Sequence, residues 1–528
     1  MVSQSTSPRH AFGAGRKYLV SVMAGISLAT LSLAVGAVTP PDTLVIGKAA
    51  DPQTLDPAVT IDNNDWTVTY PAYQKLMRYK QVNGKGSTEV EGDLAESWEV
   101  TPDNLTWTFK LRPGQKFDDG SDVTAEAVKF SFERLLKAKQ GPSEAFPASL
   151  KVTATDPLTV TFTLENSFAP FLYTLANNGA SIINPKIVKE HGDKADSWLA
   201  SHTAGSGPYR LVSWQKGQAL TLEKNPHYGG SKKPTLDKMV VKIVPEASSR
   251  RLQLQKGDLD VAEDMPVDQV VALKATPSVT VHQFPSLRVT YLYLNNKSGP
   301  LKNADMRHAV VDALDYQGII DGIMLKQAVQ TRGPIPEGMW GYDDSLPLPK
   351  QDLDAAKAAL KRSGESKPSL LLRYSTRDPN WEPIALTVQA NLASIGVNVK
   401  LEKLANATLR ENLGKGDFDI SIGNWSPDFA DPYMFTSYWF DSDKQGLAGN
   451  RSFYSNPQVD TWLREAAVLA DQGKRAALYK QVQQQVVKDA AYAYLYQTNY
   501  QAAMRNDVKG YVFNPMLEAV FNVADMSK

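Results

Sequence analysis

Residues 93–135 constrain the fold more than any other stretch, because two different periodicities meet there across tight turns. Leu105, Trp107, Phe109 and Leu111 alternate with Thr106, Thr108, Lys110 and Arg112, the period of two expected of a half-buried strand. Pro113-Gly114 ends that strand, and Asp118-Asp119-Gly120 supplies the next turn, where glycine tolerates positive φ and aspartate bonds its own backbone. Thr124 then caps a helix, with Glu126 in the first turn facing the positive end of its dipole. Val128, Phe132, Leu135 and Leu136 follow at i, i+4, i+7 and i+8, forming one apolar stripe. Periodicity by itself yields strand, turn and amphipathic helix, and is silent on function.

The residue identities say more. The pattern L-A-E-S-W-x(6)-L-T-W-T-F-K-L-R-x-G-x-K-F-x-D-G-x-x-V-T-A-E-x-V-x-F-S resembles the diagnostic segment of the family 5 solute-binding proteins, the peptide-, dipeptide- and nickel-type receptors of ABC importers. The resemblance implies an α/β, two-lobed periplasmic-binding-protein fold of class II type, with mixed sheets and an extra subdomain in the first lobe.

Before this segment, Arg9, Arg16 and Lys17 precede an uncharged run from Tyr18 to Val38 rich in Leu, Val, Ala and Ser, the basic-apolar-small order of a secretory signal. Residues 1–37 are read as that signal, cut after Ala37 or, alternatively, after Gly36. The competing reading is an uncleaved anchor, since about 20 apolar residues span a bilayer. With no cysteine in the chain there is no lipid-anchoring cysteine, no thiol catalysis and no thiolate metal ligand, and a domain this large needs no disulfides. A freely diffusing periplasmic monomer is the expectation. Lys+Arg and Asp+Glu each number 57, so removing the three basic residues of the signal leaves a net charge of about −3. That balance argues against nucleic-acid or membrane partners. The remaining length suggests about three domains at roughly 150 residues each.

Taken in order, Leu44-Val45-Ile46 is a short strand, and the two Asp-Pro steps of Asp51-Pro52-Gln53-Thr54-Leu55-Asp56-Pro57 form a loop like the family's L-D-P loop, leading into a helix over 66–79. Residues 76–204 form the extra subdomain, with a hairpin of 152–155 and 158–164 around Asp156-Pro157. Gly205-Ser206-Gly207-Pro208-Tyr209 resembles the family's turn into a strand, and its two glycines are too sparse for a phosphate loop. A strand over 238–244, a helix over 249–256 and a Gly257-Asp258-Leu259-Asp260 loop complete the first lobe's core, assigned to 38–75, 205–283 and 497–528. The second lobe, 284–496, alternates: strand 370–373, helix 383–394, strand 397–401, helix 409–413, strand 418–422, then helices over 458–470 and 474–488. Crossover strands near 284–296 and 490–500 form the hinge.

A peptide is a zwitterion, and a receptor that encloses it must pair both ends, because an unpaired buried charge costs several kcal/mol. Gly423-Asn424-Trp425-Ser426-Pro427-Asp428-Phe429-Ala430-Asp431-Pro432 follows the end of a strand, where α/β sheets bind ligands. It resembles the family's W-x-x-D-x-x-D-P, whose first aspartate holds the ligand ammonium, which implies that role for Asp428; the plain alternative is an Asx turn, favoured for Asp431. Arg377, after the neighbouring strand, resembles the guanidinium by which dipeptide receptors hold the ligand carboxylate. Its plain alternative is a solvated pair with Asp378, worth under about 1 kcal/mol. Trp340 sits in a segment resembling a ligand-touching loop, and Trp425 and Trp66 are further pocket candidates, against ordinary aromatic packing. His191, His202, His227, His282 and His308 show no metal-ligand spacing, and no catalytic constellation is visible. No cofactor is expected. The partners implied are a short peptide or related small solute and the membrane permease subunits of an ABC importer. An opine, an oligosaccharide or chelated nickel is the rival ligand, and a secreted hydrolase the rival class.

Overall fold

In the computed structural model, residues 39–139, 141–447 and 449–528 are described; the signal assigned to 1–37 lies outside them. An 11-stranded mixed sheet organises the chain. On one side Ser369–Ser375 runs parallel to both Asn398–Leu404 and Ile420–Trp425. On the other, Thr43–Lys48 runs parallel to Lys238–Ile243 and Val261–Ala262, continued by the antiparallel strands Ala219–Lys224 and Tyr209–Gln215. Two long antiparallel strands, Val279–Leu294 and Tyr492–Arg505, join the two parts.

These joining strands are longer than the crossover readable from sequence, and the reason is their mixed character. Ser286 to Leu294 is mostly buried, but 280–285 is half exposed and carries no clean alternation. Their ladder also slips between Pro285 and Val289, where proline offers no N–H to the partner strand. Gln497 braces the slip: its Nε2 donates to Ser286 O at 2.5 Å and Glu337 O at 2.8 Å.

The 93–135 segment folds as its two periodicities require. Thr106–Leu111 lies in a four-stranded antiparallel sheet with Ala95–Val100, Thr159–Thr163 and Lys151–Asp156, so the expected hairpin around Asp156-Pro157 is formed. Helix Ala125–Ala138 covers that sheet, burying Val128, Phe132 and Leu135, while Leu136 is half-buried. Phe132 meets Phe162 edge-on at 4.9 Å between centroids, and Phe162 in turn touches Phe109 at 5.7 Å. Thr124 occupies the N-cap with extended backbone, yet its hydroxyl makes no capping bond.

One expected element is misplaced. The helix read over 66–79 is Asn63–Ala72, capped by Asp62, which accepts from Asn64 N at 2.8 Å. It stops because Pro71 occupies its last turn and because Gly205 and Gly207 press directly on the Pro71 and Ala72 backbone, space that any side chain would fill. Met77–Val82 is a strand instead, with Met77 and Tyr79 buried and Arg78 exposed between them. In the second part the alternation holds: helix Trp381–Ala393 and helix Asn406–Lys415 separate the three parallel strands.

Candidate functional site

Parallel pairing decides where the two charged candidates go. Leu372 pairs with Ile420 and Arg373 with Ser421, so both strands run out at one sheet edge. Arg377 follows the first strand and Asp428 the second, and the loops that carry them face a common cavity of about 940 Å³. Helix Asn63–Ala72 brings Trp66 to the same cavity, the 3-10 turn Gly141–Ala145 brings Glu144, and the C-terminal segment brings Met516. A second chamber of about 610 Å³ shares Asp62, Asn63, Arg288, Asp378 and Glu518 with the first. Arg288, on a joining strand, donates to Ser426 Oγ at 3.3 Å and Glu518 Oε2 at 3.1 Å, tying the Asp428 loop to the C-terminal segment.

The Asp428 loop holds two acids three residues apart in opposite states. Asp431 is fully buried, forms a bidentate pair with Arg475 at 2.7 and 2.8 Å, and accepts from Tyr433 N at 2.9 Å, which is the turn role expected of it. The Asp428 carboxylate has no hydrogen-bond or ion-pair partner among the described residues. Its edge is open to cleft water, but protein surrounds it at longer range; that burial, with the nearby Glu144 carboxylate second, pushes its pKa up to about 6. Its backbone carbonyl accepts from Asn177 Nδ2 at 2.6 Å, so the 76–204 segment holds the loop from the far side. Ala169 N and Ser167 Oγ add bonds to Ala467 O and Val468 O at 2.8 and 3.0 Å.

Arg377 is exposed to the cleft and forms no ion pair with Asp378 or any other described carboxylate. Asp378 instead accepts from Asn380 N at 2.9 Å. Trp425 lies flat on Tyr438 at 5.4 Å and 16° and meets Trp439 edge-on at 4.9 Å, making a wall of stacked rings. Trp66 stands edge-on to Tyr70 at 6.0 Å. Four of the five sequence candidates therefore share one cavity. Trp340 is not among its lining residues: it stacks on Tyr173, sits 5.0 Å from the Arg475 guanidinium, and donates Nε1 to Ala430 O at 3.0 Å, bracing the loop from behind.

Sequence reasoning missed Glu144, Arg410, Arg451 and Tyr438, all of which line the cavity. Leu409 and Leu413 give helix Asn406–Lys415 its buried stripe, and Arg410 sits one residue past it on the open face; no sequence signal says that this face meets a cleft. Arg451 lies in a loop, 8% exposed, with its guanidinium 4.7 Å over the Trp439 ring. Tyr438 stands between the poles: burial and then Asp428 raise its pKa, while Arg451 and Arg410 oppose them. Among the described residues no group of three histidines or acids is arranged to hold a metal ion.

The model of the bacterial extracellular solute-binding proteins, family 5 Middle, matches residues 89–446. The probable D,D-dipeptide-binding periplasmic protein DdpA of Escherichia coli is 60% identical over 95% of this chain and 97% of its own. Among solved structures, the periplasmic binding protein DppA of Helicobacter pylori in complex with the peptide STSA is 29% identical, covers 91% of this chain and 98% of its own, and superposes with a TM-score of 0.74. HbpA2 of Haemophilus parasuis, 26% identical, covers 92% of this chain and 99% of its own with a TM-score of 0.84. The chain belongs to the family 5 bacterial extracellular solute-binding proteins.

Proposed function

We propose that this periplasmic protein captures a short peptide in the Asp428 cleft and delivers it to the membrane permease of an ABC importer. The observation that carries the reading is the pairing of opposites in one cavity. An unpartnered carboxylate, Asp428, and an unpartnered guanidinium, Arg377, leave the same sheet edge and line about 940 Å³ together. An extended dipeptide spans roughly 7 Å and fits within a cavity of about 940 Å³. Asp428 takes the ammonium, Arg377 the carboxylate, and the Trp425–Tyr438 wall and Trp66 the side chains. The dipeptide named for the E. coli relative makes D,D-dipeptides the first ligands to offer.

The domain reading accompanies this one. The first lobe is 38–75, 205–283 and 497–528, its extra subdomain 76–204, and the second lobe 284–496. The long joining strands and the ladder slip at Pro285 support a hinge there. The family is one of binding proteins, and this chain is read as a monomer that binds without catalysing.

Calorimetry with D,D- and L,L-dipeptides, each free and N-acetylated, tests the reading. Free dipeptides of one configuration should bind and acetylation should abolish most of the affinity. Equal binding of free and acetylated forms would move an opine or sugar ahead. Release of free amino acids during the titration would point to the hydrolase.

A further inference from the structure

The positive pole of the cleft holds more charge than one peptide carboxylate uses. Arg377 alone offers five N–H donors, and a carboxylate has about four lone-pair sites, so one bidentate fork already serves a C-terminus. Yet Arg410 and Arg451 line the same cavity, and among the described residues neither forms an ion pair. Burial and then the charges of Arg451 and Arg377 pull the Arg410 pKa below its ordinary value, so Arg410 lies within reach of both other guanidiniums. Arg451 is held in place rather than left to find a partner. Its Nε donates to Leu447 O at 2.8 Å, its Nη1 to Tyr293 OH at 3.0 Å, and its flat face covers Trp439. That leaves Nη2 without a protein acceptor among the described residues.

The acids of the cavity do not supply the missing anion. Asp62 accepts from a backbone N–H at the start of its helix, Asp378 from one in its own turn, and Glu518 pairs with Arg288. Glu144 and Asp428 belong to the opposite pole, where Glu144 helps raise the Asp428 pKa. Crowded, partly desolvated cations with no protein counter-charge are stabilised by a ligand that brings it.

We infer that Arg410 and Arg451 form, beside Arg377, a second anion subsite, and that the cleft selects short peptides whose C-terminal residue carries an acidic side chain. Arg377 takes the terminal carboxylate; Arg410 and Arg451 take the second one, with Arg451 the hydrogen-bonded member and Arg410 the exposed one. This rests on the peptide reading above.

The test is calorimetry with Ala-Glu and its neutral isostere Ala-Gln, in whichever configuration binds, on the wild type, R410Q and R451K. Ala-Glu should bind at least tenfold more tightly than Ala-Gln. R410Q, a change on an exposed side chain, should cost Ala-Glu at least tenfold and Ala-Gln less than threefold. R451K, which keeps the charge but loses the fork, should reduce the same preference in a protein that melts as the wild type does. Equal affinity of the two peptides, or an equal loss of both in R410Q, overturns the inference and leaves the peptide reading intact. If no dipeptide of either configuration binds folded wild-type protein, the peptide reading itself fails and takes this one with it.

Discussion

Replacing Asp428 by asparagine separates binding from folding, because the two respond with opposite signs. In the empty protein the carboxylate is unpartnered and its pKa stands at about 6, against about 3.9 in an unfolded chain. The native state thus binds this proton more tightly, so stability declines as pH rises from about 4 to about 6, and the full cost persists above that window. Two pKa units correspond to about 3 kcal/mol, and the side chain's contact with cleft water cuts this to about 1–2 kcal/mol. Asp428→Asn should therefore make the empty protein more stable at pH 7, by about 1–2 °C for a chain of this length, and leave it unchanged at pH 4. The same substitution should cost a dipeptide about 2–5 kcal/mol, since its ammonium is left enclosed without a counter-charge. That is about thirtyfold to several thousandfold in affinity.

Stripped protein melted at pH 4 and pH 7, with calorimetry alongside, reads both effects. Wild-type affinity should also fall about tenfold per pH unit below pH 6, as Asp428 takes up a proton that competes with the ligand ammonium, and Asp428→Asn should show no such fall. Glu144, Tyr438 and Tyr79 are the titratable groups facing this carboxylate, and the tyrosines stay neutral across that range. An empty variant less stable than wild type at pH 7 would refute the unpaired-carboxylate argument. Unchanged affinity would refute the ammonium assignment.

Asp431→Asn should behave in the reverse way: it breaks a buried bidentate pair with Arg475, costing about 3–5 kcal/mol of stability, which thermal melting reads directly. Asn177→Ala removes the 2.6 Å bond to the Asp428 carbonyl and should weaken dipeptide binding by about tenfold, a loss of about 1–1.5 kcal/mol; an unchanged Kd would show that the loop holds itself. Small-angle scattering should give a smaller radius for loaded than for stripped protein, and equal radii with proven binding would reject closure about the joining strands.

What was legible in the sequence is what depends on local periodicity. The strand at 106–111, its covering helix and the alternating second part needed only spacing, and parallel strands then carried Asp428 and Arg377 to one edge. What was not legible depends on which distant segment covers a surface. Arg410 reads as a solvated helix residue until the cleft wall opposite it is known. Trp340 stacks on Tyr173, far away in sequence, a contact that local spacing does not reveal. The helix boundary at Ala72 was set from outside as well, by glycines more than a hundred residues later that admit no side chain beside Pro71 and Ala72.

The two aspartates of the 423–432 loop show why the local rules fail where they do. Both could cap turns, and by composition they are equivalent. Packing distinguishes them: Asp431 is enclosed with Arg475, 0% and 3% exposed, so its charge is neutralised within the protein. Asp428, three residues on the cleft side, is given a carbonyl anchor by Asn177 and an indole brace behind its loop, but no cation. A chain selected for stability alone would have paired or removed this carboxylate, since burial raises its energy above pH 6. Arg377, Arg410 and Arg451 line the same cavity as cations that form no ion pair among the described residues. Unmatched charges of both signs, carried on loops and a helix around one cavity, do not stabilise the empty protein. They lower the free energy of a complex whose ligand carries the complementary pair.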